Sequence, residues 1–158
     1  MGGSGRPGWP ASRAVVATGL GDAQGPSAAR RSAAAAYEAA GVGPQDVHIA
    51  EVHDATATAE LALYEELGFC DAGDAVSLLR SGATDLGGRI AVNSGGGLMS
   101  RGHPIGATGC AQLVELTEQL RHRAGPRQRE GAQIALAENG DGWLGQDAAV
   151  AVVTILSR

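Results

Sequence analysis

Lysine is absent from this sequence: all 12 basic residues are arginine. A chain with no side-chain primary amine cannot form an imine with a carbonyl substrate, so Schiff-base chemistry carried by this chain is excluded. Aromatic residues are scarce too, at 3%. A core with so few rings must be assembled from Ala, Val, Leu and Ile, within an apolar fraction of 44% that is ordinary for a globular protein. Two cysteines with no paired spacing, Cys70 and Cys110, argue against a disulfide scaffold and for a reducing compartment, the cytoplasm by default. No run of about 18 apolar residues occurs, so no membrane-spanning helix is expected. A net charge of −5 leaves no basic footprint for nucleic acid or an anionic membrane surface. Met1–Pro10 has no apolar stretch of the secretory kind. Residues 1–12 are expected to form a flexible lead-in to one domain spanning 13–158, long enough to bury a core.

What the sequence has in quantity is glycine, 25 residues in all. Between the glycine-rich turns, Arg13–Ala17 reads as a strand and Ala28–Ala40 as an alanine-rich helix stopped by Gly41. Val47–Val52 reads as a strand, followed by a helix over Thr56–Leu67 that Asp54 is placed to cap. A loop-rich stretch from Gly68 to Gly88 has room for one short helix at Asp74–Arg80, and Arg89–Asn93 is strand-like. Ser94–Gly109 holds six glycines and one proline, and so long a loop inside a compact domain is usually functional. It feeds a helix over Ala107–Arg121. Two late strands, Gln133–Ala137 and Ala148–Leu156, are joined by Glu138–Asp147, too short for a helical crossover and so antiparallel. The order β-α-β-α-β-α-β-β implies a layered, mostly parallel α/β sheet. The first turns of the Ala107–Arg121 helix are small or apolar on nearly every side, which predicts that something beyond one sheet covers it.

Three places hold candidate chemistry. In Gly102-His103-Pro104-Ile105-Gly106-Ala107-Thr108-Gly109, proline stiffens the backbone after the histidine, and the glycines let a ligand or another segment approach. The same segment opens a helix, whose unpaired N–H groups and positive dipole end face the loop. A histidine there can serve as a base toward a thiol or as a donor to an oxyanion; the plain alternative is a glycine turn with an exposed histidine. In Glu51-Val52-His53-Asp54, His53 ends a strand at the edge where open α/β sheets bind ligands, or is a loop histidine beside a capping aspartate. Glu138-Asn139-Gly140-Asp141-Gly142 could present N–H donors to an anion or be an ordinary turn. Glu138 and Asp141 lack the clustered His or Cys partners of a metal site, so no metal is expected. Cys110, in a first helical turn, and Cys70 both read as packing residues. His48 and His122 carry no assigned role.

These pieces together resemble the thiolase superfamily, and within it the sterol-carrier-protein and lipid-transfer-protein thiolases. The resemblance runs from about Arg13 to the end. It rests on Ala33-Ala34-Ala35-Ala36-Tyr37-Glu38-Ala39-Ala40-Gly41-Val42, Glu51-Val52-His53-Asp54, Tyr64-Glu65-Glu66-Leu67-Gly68, Asn93-Ser94-Gly95-Gly96-Gly97-Leu98 and the His103 octapeptide. It implies the C-terminal half of a two-half fold, a five-stranded mixed sheet with helices on both faces. The implied catalytic residues are His103, which activates a nucleophilic cysteine and helps bind the thioester oxygen, and His53, which helps form the oxyanion site. Asn139, Gly140, Gly142 and Gly102 are implied to line the acyl substrate.

The implied substrate is an acyl-CoA, with no further cofactor. The implied partners are a thiolase N-terminal-half subunit carrying the nucleophile and, in some relatives, a small OB-fold protein. Where the family has His-Asp-Cys-Phe, this chain has His53-Asp54-Ala55-Thr56, and its late loop has Asn139 and no cysteine. The expectation is therefore an acyltransferase or carbon–carbon lyase subunit acting on 3-keto- or 3-hydroxyacyl-CoA, with lyase chemistry favoured. The alternatives are a non-catalytic module that binds or stabilises a partner, or a truncated gene product.

Overall fold

The structure, a computed structural model, describes residues 13–21, 25–142 and 147–158; the lead-in expected over 1–12 lies outside them. Strand β1 is Arg13–Leu20. Helix α1, Ala28–Ala40, is rich in the best helix former and capped at both ends. The Ser27 side chain accepts the Arg30 N–H, and Gly41 closes the helix at φ 70°, a left-handed conformation that glycine adopts at no steric cost. Strand β2, Ile49–Glu51, is followed by α2, Ala57–Glu66, and α3, Ala75–Arg80. Strand β3 is Ala91–Val92, α4 Gly97–Arg101 and α5 Thr108–Leu120. Strands β4, Ile134–Asp141, and β5, Val150–Ser157, complete the sheet.

The strand order is β1-β5-β4-β2-β3. Strand β2 runs parallel to both β3 and β4, and β5 runs antiparallel to β4 and β1. Alternation along these strands sends Ala50, Val52, Leu136, Val153 and Ile155 to one face, where they pack with Ala33 and Ala36 of α1 and with Tyr64, Leu67 and Phe69. Three of the chain's few aromatic rings (Tyr37, Tyr64, Phe69) are gathered here. Ile49, Ala91, Ala135 and Ala137 face the other way, onto Leu116 and Leu120 of α5. Helices thus lie on both faces of a five-stranded mixed sheet, as the resemblance implied.

Five expectations change. Asp54 does not cap α2; the Thr56 hydroxyl does, accepting the Ala59 N–H at 3.1 Å. The long glycine stretch is not loop throughout, because Gly97–Arg101 closes into α4. The Asn139-Gly140-Asp141 run is not a turn but the end of β4, paired with Val150–Val152. Its turn-forming residues are overridden by a paired neighbour strand. Finally, α5 has polar residues, and they point inward: Gln112, Glu115 and Gln119 are buried, while Leu113, Val114 and Cys110 are exposed. The packing role expected of Cys110 is not seen; Cys70 does pack against the core.

Candidate active site

Because β2, β3 and β4 are parallel neighbours, their C-terminal ends emerge on one edge of the sheet. The His53 segment, the glycine loop and the Asn139 segment follow or end those three strands. Topology alone therefore brings together three motifs far apart in the chain.

The His53 and His103 rings meet edge to face, with centroids 4.8 Å apart. His53 is half-buried and His103 is exposed. The backbone N–H of His53 donates to Glu138 Oε2 at 3.1 Å, fixing the end of β2 against β4. Burial holds His53 below the ordinary histidine range, and the neighbouring His103 adds to this. Asp54, Asp141 and Asn139 act the other way. His53 is therefore a neutral imidazole at pH 7. Its Nδ1 is buried without a hydrogen-bond partner among the described residues, so it would gain from a polar group placed beside it.

His103 is held through Nδ1, which lies 2.7 Å from Thr108 Oγ1. The Thr108 hydroxyl donates to the Pro104 carbonyl at 3.4 Å, leaving its lone pairs to accept from Nδ1–H. That assignment puts the proton on Nδ1 and leaves Nε2 as the basic nitrogen. The Pro104 carbonyl thus offers the Thr108 hydroxyl an acceptor, which is the basis of this tautomer assignment. Thr108, buried at the start of α5, was not singled out from sequence; its place five residues after the histidine in a proline turn was the available signal.

Asn139 reaches across to α5. Its Nδ2 donates to Gln112 Oε1 at 3.2 Å, and Gln112 Nε2 donates to the Glu138 carbonyl at 2.8 Å. A Cβ on Gly109 would lie 3.9 Å from Asn139 Cγ, so the first turn of α5 sits close against this amide. Gly140 follows in β4, and Gly142 just beyond it has φ 67°. Gly102 sits at the end of α4, immediately before His103, with φ 84°. Beneath the site are two buried carboxyls. Burial pushes Glu138 up to about 7, against a small opposing pull from the His53 N–H. Burial raises Glu51 to about 7 as well, opposed by the Gly95 N–H and Arg101. The structure thus brings His53, His103 and Asn139 to one place, with Gly102 and Gly140 beside them in sequence. Glu138, Gln112 and Asp54 enter as supporting residues.

The model of the thiolase C-terminal domain-like family matches residues 15–158. The chain belongs to the thiolase superfamily and corresponds to its C-terminal half. This thiolase-like domain is 47% identical over 110 residues to sterol carrier protein 2 of Rattus norvegicus, a match covering 70% of this chain and 20% of that protein. It is also 47% identical over 87 residues to the benzoylsuccinyl-CoA thiolase subunit BbsB of Thauera aromatica, covering 55% of this chain and 23% of that one. Among solved structures it resembles the Ltp2–ChsH2 (DUF35) aldolase with a TM-score of 0.75 and 23% identity, covering 90% of this chain and 38% of that one. The domain spans about a fifth of the length of these curated relatives. No helix among the described residues is long and apolar enough to cross a membrane.

Proposed function

We infer that this domain supplies the acid–base half of an acyl-CoA active site whose nucleophile region comes from a thiolase-like first half. The observation that carries the reading is the His53–His103 pair at the parallel strand ends, with His103 Nε2 left basic by Thr108. In this reading His103 accepts a proton from a thiol or hydroxyl brought against it. The neutral His53 donates a hydrogen bond to the thioester oxygen as negative charge develops there. Asn139, Gly140, Gly142 and Gly102 line the acyl group, the glycines leaving space where a side chain would intrude.

The partner surface follows from register. Val16 pairs with Thr154, and Thr154 with Ala137, so Val16 and Leu20 lie on the face that α5 covers. Helix α5, however, packs over β4 and β2. Val16 is 62% exposed, Leu20 69% and, on the outer side of α5, Val114 63%. A first half docked on this apolar face would bury it and bring a nucleophile toward the histidines. Its relatives include a protein named as a thiolase subunit and a two-component aldolase, which supports assembly with a second chain; a small OB-fold-type subunit remains part of the proposal.

Retro-aldol cleavage is the preferred reaction. Claisen chemistry needs an acid–base group to move the proton next to the thioester, and at the two positions where the family resemblance implies a cysteine this chain has Ala55 and Asn139. Cleavage of a 3-hydroxyacyl-CoA asks for a base that takes the hydroxyl proton as the C2–C3 bond breaks and a carbonyl forms, for stabilisation of the departing enolate, and for return of that proton to the enolate carbon. The neutral His53 suits the second task, and the hydroxyl proton can pass to His103 Nε2 or to a base of the first half. The reconstituted complex, offered a 3-hydroxyacyl-CoA and a 3-ketoacyl-CoA with free CoA, is expected to cleave the former faster. Faster CoA-dependent thiolysis would reverse that preference, and no turnover of either with an intact complex would favour a partner-binding module.

A further inference from the structure

The residue after His53 is bound to the segment that carries His103. Asp54 is 1% exposed, and its carboxylate accepts the Leu98 N–H at 2.6 Å and the Met99 N–H at 3.4 Å. These are first-turn N–H groups of α4, which have no partner within a helix, and bonds to a carboxylate are the stronger, charge-assisted kind. The fit leaves no slack. Gly97 has φ +59°, and a Cβ there would lie 2.1 Å from Asp54 Oδ2. At its other end α4 stops at Gly102, whose N–H returns to the Leu98 carbonyl at 2.8 Å, and His103 comes next. Asp54 is thus joined covalently to one imidazole and, through a single helical turn, to the other.

Three neighbouring contacts fasten the same strand end to the same loop. Glu51 Oε1 accepts the Gly95 N–H at 2.9 Å and its Oε2 meets Arg101 Nη2 at 3.3 Å, while the Val52 N–H donates to Asn93 Oδ1 at 2.8 Å. Only the Asp54 carboxylate, among these, grips the first-turn N–H groups of α4.

We propose that Asp54 is a positioning residue that sets the separation of the two imidazoles by clamping α4 against the end of β2. Its use in catalysis rests on the active-site reading above, so the test reads geometry without needing turnover. In the 158-residue chain labelled with 15N at its four histidines, a nuclear Overhauser contact between the His53 and His103 rings is expected, together with a His53 titration midpoint below the ordinary histidine value. So sparse a spectrum remains readable in a dimer.

Asp54→Asn preserves shape but places an amide NH2 where a second acceptor is needed. Gly97→Ala keeps the charge and forces α4 away by bulk. Both should lose most of the inter-ring contact. In Gly97→Ala the His53 midpoint should also rise, because burial and His103 are what hold it down; loss of the Asp54 charge alone would lower it. An inter-ring contact that survives in either variant overturns the proposal. So does unfolding of the near-isosteric Asp54→Asn, which would make the residue a general structural one. If the contact is lost while the assembled complex turns over unchanged, the clamp stands and the catalytic reading of the pair falls.

Discussion

At the scale of single residues, the site depends on which protons are present. His103 is an exposed residue whose Nδ1 is tied to Thr108. In the proposed complex with a thiolase-like first half, His103→Ala should lower turnover by about a hundredfold or more, as loss of a general base does. Because the side chain is exposed, thermal unfolding should barely move; unchanged turnover would reduce His103 to a turn residue. Glu138 makes a different prediction. In the folded chain it titrates at about 7, against 4.5 for an unburied glutamate. A raised carboxyl favours the folded state when protonated. Its contribution is complete below about pH 4.5 and is lost as pH rises through 7. Glu138→Gln keeps an oxygen for the His53 N–H and never ionises. It should be more stable than the parent at pH 8, by at most about 3 kcal/mol, and its stability should change less between pH 4.5 and 7. Urea unfolding at several pH values checks both statements. Glu51 is raised in the same sense, so part of the slope should remain.

At the scale of elements, the close approach of α1 to β1 is set by one glycine. A Cβ on Gly19 would stand 2.4 Å from the Ala28 carbonyl oxygen and 2.6 Å from Ser32 Oγ. The first of these is helix backbone and cannot turn aside. Ser32 Oγ also bonds the Ala28 and Ala151 carbonyls, at 2.9 and 2.8 Å, so α1 is fixed to β5 at the same level. Gly19→Ala should push α1 outward and cost about 1–3 kcal/mol, seen as a lower urea midpoint. A midpoint unchanged from the parent would mean that α1 can shift freely.

At the scale of the whole molecule, an exposed apolar surface is the feature on which the proposed partner rests. Val16 and Leu20 of β1 and Val114 of α5 lie on the α5 side of the sheet, uncovered in the single chain. Apolar patches of this kind on an isolated domain mark interaction surfaces. The chain expressed alone should self-associate and bind an apolar dye. Co-expression with a thiolase-like first half should remove both behaviours. A dilute monomer by light scattering, with no dye binding, would contradict this.

How much was legible in advance follows from the range of the forces involved. Helix α1, its stop at Gly41 and the antiparallel pairing of the last two strands could be read locally, because propensity, capping and loop length act over a few residues. The motifs around His53 and His103 could be read as well, since glycine, proline and histidine in such order restrict what a backbone can present. That Asn139 lies in a strand was not legible, because pairing with Val152 is a long-range event that overrides turn chemistry. Nor was the inward facing of Gln112, Glu115 and Gln119, whose burial depends on partners brought by β4 and by the glycine loop. Asp54 shows the division clearly. Its sequence position allowed a cap on the helix that follows, but Thr56 takes that place, and only the parallel neighbouring of β2 and β3 carries α4 to the Asp54 carboxylate. Local sequence was enough for α1, the caps and the chemical groups; α4, the end of β4 and the meeting of the groups were decided by tertiary structure, because they depend on a strand order that no local interaction specifies.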